Sequence, residues 1–286
     1  MKKIIAIVLA IITIVGCVFA FTGCKDKDDN TLVLATNAEF APYEYKIGSK
    51  FYGIDMEIAK IIADELGMKL KISDMNFDSV VTSVQAGDAD IALACLTVNA
   101  KRAKSVVFST AYEEGAAQVL IVKNSDTAFD ACTTAADVNA VFQAKSSKTS
   151  IGVQGGTTGE AYVKGDVDWG FSGIPNTTAS SYTSITQAVS DIKNGNISYA
   201  VVDKAVAESQ VASNSGAIKM IPVDLTVEKY AIGVSKDKPE LLKKINAIIE
   251  RIKSDGTLEE IYAAYADVDE EGASAPNSTK YVGVNG

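Results

Sequence analysis

The chain has 286 residues, 47% hydrophobic and 22% charged, with a formal net charge of −9 and a sequence pI of about 4.7. That is enough for a core in one large domain or two ordinary ones, and the negative balance argues against nucleic acid and against adhesion to anionic lipid. There is no histidine, which excludes Ser–His–Asp and Cys–His catalysis, removes the usual general base and leaves zinc only an unusual ligand set.

In chain order, Lys2 and Lys3 precede an apolar run from Ile4 to Thr22 and then "GCKDKDDN", the pattern of a signal peptide. "FTGC", 21–24, resembles a lipoprotein signal box. Residues 1–23 are then the signal peptide, Cys24 carries lipid, and 24–30 form a polar tether. "IVGC", 14–17, also fits the box, and Ile14 suits its first position better than Phe21. Cutting at Cys17, however, would leave "VFAF" at the new N-terminus. An uncleaved transmembrane anchor is the alternative, and either way the domain lies outside, held to a membrane. The remaining cysteines, Cys95 and Cys132, are not a disulfide scaffold and read as two small buried hydrophobes.

Past the tether, strand and helix alternate. "TLVLAT", 31–36, is a strand. In "GIDMEIAKIIADELG", 53–67, Ile58, Ile61, Ile62 and Leu66 share one helical face, and Gly67 sits at the C-terminal cap. "LKIS", 70–73, is a strand and "FDSVVTSVQAG", 77–87, a helix closed by Gly87. "ADIALAC", 89–95, does not alternate and so predicts a strand buried on both faces. "AAQVLIV", 116–122, and "SIGVQ", 150–154, are further strands. "GGTTGEAYV", 155–163, opens a helix with a capping box of Thr157 and Glu160. "SITQAVSDIKNG", 184–195, "ISYAVVD", 197–203, "IKMIPV", 218–223, and "EKYAIGVS", 228–235, continue the alternation. "PELLKKINAIIERIKSDG", 239–256, is amphipathic, and "TLEEIYAAY" predicts a helix with a capping box at Thr257 and Glu260. The tail, about 267–286, is small and polar and reads as an extended or mobile extension. The fold class is α/β with mostly parallel sheets.

Aligning Gly87 with Gly195 lays "GDADIALAC" over "GNISYAVVD". Each copy is a helix, a Gly, a turn and a buried strand, ending at Cys95 and at Asp203. Ligands of open α/β sheets gather at the carboxyl ends of strands, so two sheets facing one cleft would bring 95–102 and 203 together.

Three features carry chemistry. Arg102 is one of only two arginines among 27 basic residues. Its planar fork suits a carboxylate and stays charged, against the plainer reading of a solvated face in "NAKRAKS". "GGTTG", 155–159, places backbone N–H groups and the Thr157 and Thr158 hydroxyls at a helix start, which serves an anion or simply caps the helix. Asp203 ends an apolar strand, where a charge is costly unless paired. It caps the next helix, pairs with Lys204, or receives an ammonium. An acid receptor and an amine receptor together fit the zwitterionic head of a free α-amino acid. "TNAEFAPYEY", 36–45, and "MNFD", 75–78, add aromatic walls.

At this point the sequence resembles the extracytoplasmic solute-binding proteins of ABC importers for polar amino acids, from about 31 to 266. The motifs stand in order: "ATNAEFAPYEY", "FYGIDMEIAKIIADELG", "MNFDSVVTSVQAGDADIALACLTVNAKRAKSVVFS", "IGVQGGTTGEAYV", "YAVVDKAVA" and "YAIGVSKDKPELLKKINAIIERIKSDGTLEEIY". The resemblance implies a two-lobed type II periplasmic-binding-protein fold with two hinge crossover strands and the ligand in the cleft. Lobe 1 would be 31–114 plus 225–286, and lobe 2 would be 115–224. By position, Arg102 clamps the ligand carboxylate with Thr97, Thr157 and Thr158. Asp203 takes the ammonium with the main chain around Ala94 and Cys95. Phe40 and Phe77 sandwich the side chain, and Asn37 reaches its far end.

Three departures stand out. Asn37 replaces an Asp frequent in binders of basic amino acids, although Glu39 lies nearby. Cys95 stands where Ser or Gly is usual. Asn99 and Lys101 replace common family choices and read as peripheral. The resemblance implies a monomer without catalysis or cofactor, serving a membrane permease. A ligand-sensing receptor acting in trans, or an enzyme on the same fold, is the alternative.

Overall fold

The computed structural model describes residues 30–266, 268, 275–276 and 280–285; the expected lipid-bearing Cys24 lies outside them. Among the described residues no helix is long and apolar enough to cross a membrane. The first part of the chain forms β1 (Thr31–Thr36), β2 (Glu39–Phe40), β3 (Glu44–Ile47), β4 (Lys50–Tyr52), α1 (Ile54–Leu66), β5 (Lys69–Asp74), α2 (Phe77–Ala86), β6 (Ile91–Ala92) and β7 (Val107–Phe108). A 3-10 turn, Arg102–Lys104, precedes β7. The middle part is β8 (Glu113–Ala116), β9 (Gln118–Lys123), α3 (Ala135–Gln143), β10 (Thr149–Gln154), α4 (Thr158–Lys164), β11 (Thr177–Tyr182), α5 (Ile185–Asn194), β12 (Tyr199–Asp203), α6 (Lys204–Ser213) and β13 (Ile218–Ile221). A second 3-10 turn, Val167–Trp169, follows α4. The chain returns through β14 (Glu228–Tyr230) and β15 (Gly233–Val234) to α7 (Pro239–Ser254), α8 (Thr257–Tyr265) and β16 (Val284–Asn285).

Two five-stranded sheets organise the molecule. The first runs β5–β1–β6–β15–β7 and the second β11–β10–β12–β9–β13. Each has a parallel centre, β1 with β6 and β10 with β11 and β12. Each also contains an antiparallel strand, β15 in the first and β9 in the second. The sheets are therefore mixed rather than mostly parallel. The reason is the crossover: β8 leads into β9 and β14 leads into β15, and these two entry strands pair antiparallel with each other. Strands delivered by that ladder run against the βα repeats beside them.

The helices follow the apolar spacing. Ile58 and Ile62 of α1 are fully buried, with Ile61 and Leu66 packed against the same core. In α7, Ile245, Ile249 and Ile252 are fully buried and Ile248 nearly so. Each such side chain contributes roughly 1.5–3 kcal/mol on burial. Gly67, Gly87 and Gly195 end α1, α2 and α5 in the left-handed conformation, as the pattern predicts.

Three local expectations fail for physical reasons. The Thr257–Glu260 capping box does not form. Gly256 is the N-cap, so Thr257 is already the first helical residue; its N–H donates to Asp255 Oδ1 at 3.0 Å, while Glu260 accepts from Lys280. The strand expected over 89–95 is hydrogen-bonded as a ladder only at Ile91–Ala92. Residues 93–95 stay buried, but Cys95 turns into the left-handed region, with φ 48°, and leaves the sheet. The described end of the tail, 280–285, is neither bare nor detached. Val284 and Asn285 pair with Phe51 and Lys50, adding an edge strand to the small sheet β16–β4–β3–β2. Tyr281 is buried against Tyr265, ring centroids 6.1 Å apart. Cys95 and Cys132 are both free and buried.

Candidate ligand-binding site

Arg102 is not on a solvated face. It is 7% exposed, and its guanidinium donates to Thr97 O at 3.1 Å and to Gly156 O at 3.2 Å. Two aromatic rings pack against its guanidinium carbon, the centroid of Phe77 at 5.3 Å and that of Trp169 at 4.8 Å. Burial lowers its pKa to about 10, and the negative fields of Glu228 and Asp203 oppose that shift, so it stays charged at neutral pH. Asn99 is not peripheral. Its Oδ1 accepts from Arg102 N at 2.8 Å and its Nδ2 donates to Thr97 O at 3.1 Å, fixing the turn that aims the guanidinium. Lys101 is engaged too, with Asp166 at 2.9 Å.

Asp203 closes β12 and is 6% exposed. Both plainer roles are taken away from it. It makes no side-chain cap bond to α6, and Lys204 pairs with Asp224 at 3.0 Å instead. The Tyr230 hydroxyl donates to its carboxylate. Burial, and then the negative charge of Glu228, push its pKa up to about 7, while Tyr230 and Gln118 pull it back. Glu228 is also buried. Its two oxygens accept from the Thr97 and Thr226 hydroxyls, each at 2.5 Å. The Thr158 hydroxyl donates to Thr97 Oγ1 at 2.8 Å, so a polar chain runs from the start of α4 through Thr97 to Glu228 in the crossover.

One cavity collects nearly all the predicted residues. Phe40, Phe77, Ala94, Cys95, Thr97, Arg102, Thr157, Thr158 and Asp203 line it. Its volume is about 10 Å³, room for a single water at most. Asn37 lies just outside this lining. Its Oδ1 accepts from Gln154 Nε2 at 2.8 Å, and its own amide donates to Met75 O at 2.9 Å. Thr157 is a cap rather than a free hydroxyl. It donates to Gln154 O at 2.7 Å and accepts from Glu160 N at 3.2 Å. The Glu160 carboxylate completes the start of α4 from one residue further back, accepting from Gly156 N at 2.8 Å. Because α4 has only seven residues, its dipole is short, and the guanidinium is the stronger anion receptor. Gly156 has φ 78°, and a Cβ there would sit 3.1 Å from Asp78 Cα, so only glycine lets the second sheet's loop approach α2 this closely.

Cys95 has a role that small size alone does not explain. Its N–H donates to Asp55 Oδ2 at 3.1 Å and its thiol faces Glu44 Oε2 at 3.7 Å. Glu44, Asp55 and Cys95 bring their ligand atoms within 4.8 Å of one another, all buried, and are the described residues near enough to share an ion. Burial raises Asp55 to about 7 and drives Glu44 and the thiol well upward. Shared protons account for the cluster without any ion. Sequence reasoning missed Gln154, Trp169, Glu228 and Tyr230. Glu228 carried a legible signal, a charge opening the apolar run "EKYAIGVS", and Trp169 is the only tryptophan of the chain.

Two α/β lobes joined by a paired crossover, with opposite charges buried between them, define a two-lobed solute-binding protein of type II. The profile of the bacterial extracellular solute-binding proteins, family 3, matches residues 32–268, and the chain belongs to that family. It is 28% identical to the arginine-binding extracellular protein ArtP of Bacillus subtilis (strain 168), over 91% of this chain and 96% of the relative. Among solved structures it is similar to an ancestral arginine-binding protein bound to arginine, at 32% identity and a TM-score of 0.69, covering 82% of this chain and 98% of the other. An ancestral arginine-binding protein bound to glutamine matches at 32% identity and a TM-score of 0.70, over 82% and 97% of the two chains. The chain is a substrate-binding component of an amino acid ABC importer, and its relatives are extracytoplasmic transport proteins.

Proposed function

We propose that the chain captures a free α-amino acid with a polar side chain, by reversible closure and without catalysis, and presents it to an ABC permease. The observation that carries this reading is the pairing of Arg102 with Asp203. Two buried opposite charges line one cavity, and neither has an ion-pair partner within 4 Å among the described residues. A zwitterion supplies both missing charges. Arg102 takes the carboxylate, with Thr97 and Thr158 beside it. Asp203 takes the ammonium, next to the main chain of Ala94 and Cys95. Phe40 and Phe77 flank the side chain, and the Asn37–Gln154 carboxamide pair meets its end with both donors and acceptors.

Because the cavity holds barely one water, entry requires the lobes to part. Lobe 1, 31–114 with 225–286, and lobe 2, 115–224, turn about the ladder of β8 and β14. The protein acts as a monomer tethered by lipid on Cys24. Micromolar affinity needs about 8 kcal/mol, and charge-assisted hydrogen bonds of roughly 1.5–3 kcal/mol each supply much of it before the entropic cost of binding.

Calorimetric titration with the twenty amino acids tests the reading. Arginine and glutamine, the ligands in the related ancestral structures, are expected to bind at micromolar Kd or better. Leucine and glutamate are expected to bind at least about tenfold more weakly. If no amino acid bound below about 1 mM, the reading would be lost.

A further inference from the structure

We infer that the turn Val167–Trp169 is a closure latch, in which Trp169 is a positioning residue that covers the Arg102 guanidinium from the second lobe and holds it toward a ligand carboxylate. The inference rests on the carboxylate role of Arg102. Three contacts reach across in register. Lys101 pairs with Asp166 at 2.9 Å, Lys104 pairs with Asp168 at 3.2 Å, and between them the Trp169 ring lies 4.8 Å from the Arg102 guanidinium carbon. Both partners are 3-10 turns. One carries the cations at 101, 102 and 104, and the other carries the anions at 166 and 168 with the ring at 169.

The receiving turn is stiff. Asp166 Oδ1 accepts from Asp168 N at 3.0 Å, and Asp166 and Phe171 exchange main-chain hydrogen bonds at 2.9 and 3.0 Å. Trp169 leans on Phe171, which packs edge-on to Tyr162. The indole N–H is buried without a hydrogen-bond partner, so ring packing rather than a hydrogen bond seats the side chain. Phe77 also packs on the guanidinium, 5.3 Å from its carbon, so two rings limit its movement while its N–H fork stays suited to a bidentate partner. The two ion pairs are exposed and individually weak. Their value is register: they bring the turn down so that the ring lands on Arg102, and they are screened by salt.

Because the chain has a single tryptophan, its fluorescence reports this contact alone. The test is acrylamide quenching of the tryptophan fluorescence of the ligand-free protein and of D166N/D168N, with L-arginine affinity measured on these and on W169L and W169F. In the ligand-free protein, D166N/D168N or about 1 M salt should raise the quenching constant about twofold. W169L should weaken L-arginine binding about fivefold, chiefly through faster dissociation, while W169F, which restores a ring face, should stay within about twofold of the parent. Unchanged quenching in D166N/D168N and in salt, or W169L affinity within about twofold of the parent, overturns the latch. Quenching that responds as expected in a protein that binds none of the twenty amino acids keeps the latch and removes the ligand reading instead.

Discussion

The sharpest consequence of the site is a pH dependence set by Asp203. Only its carboxylate form can hold an ammonium, and burial together with Glu228 raises its pKa to about 7. The groups facing it are Glu228, Tyr230, Gln118 and, further off, Arg102, Cys95 and Glu44. Arg102, at about 10, remains charged, and the ligand carboxylate remains ionised. The fraction of competent site is then roughly 0.76 at pH 7.5 and 0.03 at pH 5.5, so the apparent Kd should rise roughly 25-fold on acidification. Calorimetry across that range measures it. In Asp203→Asn, binding should be weaker at pH 7.5 and the pH slope should vanish. Affinity constant within about twofold from pH 7.5 to 5.5 would refute either the raised carboxyl or its role as ammonium receptor.

The stability of the ligand-free protein should move the other way. Asp55 and Asp203 both bind protons more tightly folded than unfolded. Stability therefore rises as pH falls through the folded pKa, by on the order of 1 kcal/mol per group between pH 8 and 6. Carboxylates with lowered pKa, such as Asp137, Asp191 and Asp255, oppose this only at more acid pH, where they begin to take up protons. The ligand-free melting temperature should thus climb from pH 8 to 6 while affinity falls.

Other perturbations separate the parts of the site. Arg102→Lys keeps the charge but loses the fork and the stacking; it should weaken amino acid binding at least about tenfold, read by calorimetry. Asn37→Asp should shift preference toward arginine over glutamine by about tenfold, since a carboxylate beside the ligand's far end favours a cation. Gly156→Ala forces a Cβ to 3.1 Å from Asp78 Cα at φ 78°, so it should impair closure and reduce affinity about tenfold, with a stability loss of about 1–2 kcal/mol in chemical denaturation. Mass analysis of the mature protein should find lipid on an N-terminal Cys24; an intact Met1 would contradict the tether.

The sequence made the framework legible because its signals were local and redundant. Apolar spacing set α1 and α7, and glycines marked where α1, α2 and α5 end. The scarcity of arginine singled out Arg102, and a charge at the end of an apolar strand singled out Asp203. What escaped depended on distance. Tyr230 reaches Asp203 across 27 residues and Gln154 reaches Asn37 across 117, and no periodicity encodes such partners. Trp169 sits in an irregular turn whose register against Arg102 exists only once the two lobes meet. The β-strand expected over 89–95 broke for a similar reason. Its end is governed by Asp55, 40 residues earlier, rather than by its own apolar run.

The charge balance around the cavity favours, on the proposed reading, a zwitterion with a neutral or cationic side chain. Arg102 is the only buried basic side chain among the described residues, whereas Glu44, Asp55, Asp203 and Glu228 are all buried near the cavity. Without a ligand, protons and hydroxyl donors must neutralise the excess, as the raised values at Asp55 and Asp203 and the Thr97, Thr226 and Tyr230 hydroxyls indicate. On the proposed reading, an arriving ammonium would replace a proton at Asp203 and lower the energy of the remaining carboxyls through the same field. An additional carboxylate on the ligand would do the reverse, adding a charge to a region already holding four acids against one base. On the proposed reading, glutamate and aspartate should bind more weakly than glutamine and asparagine because of like-charge repulsion rather than size.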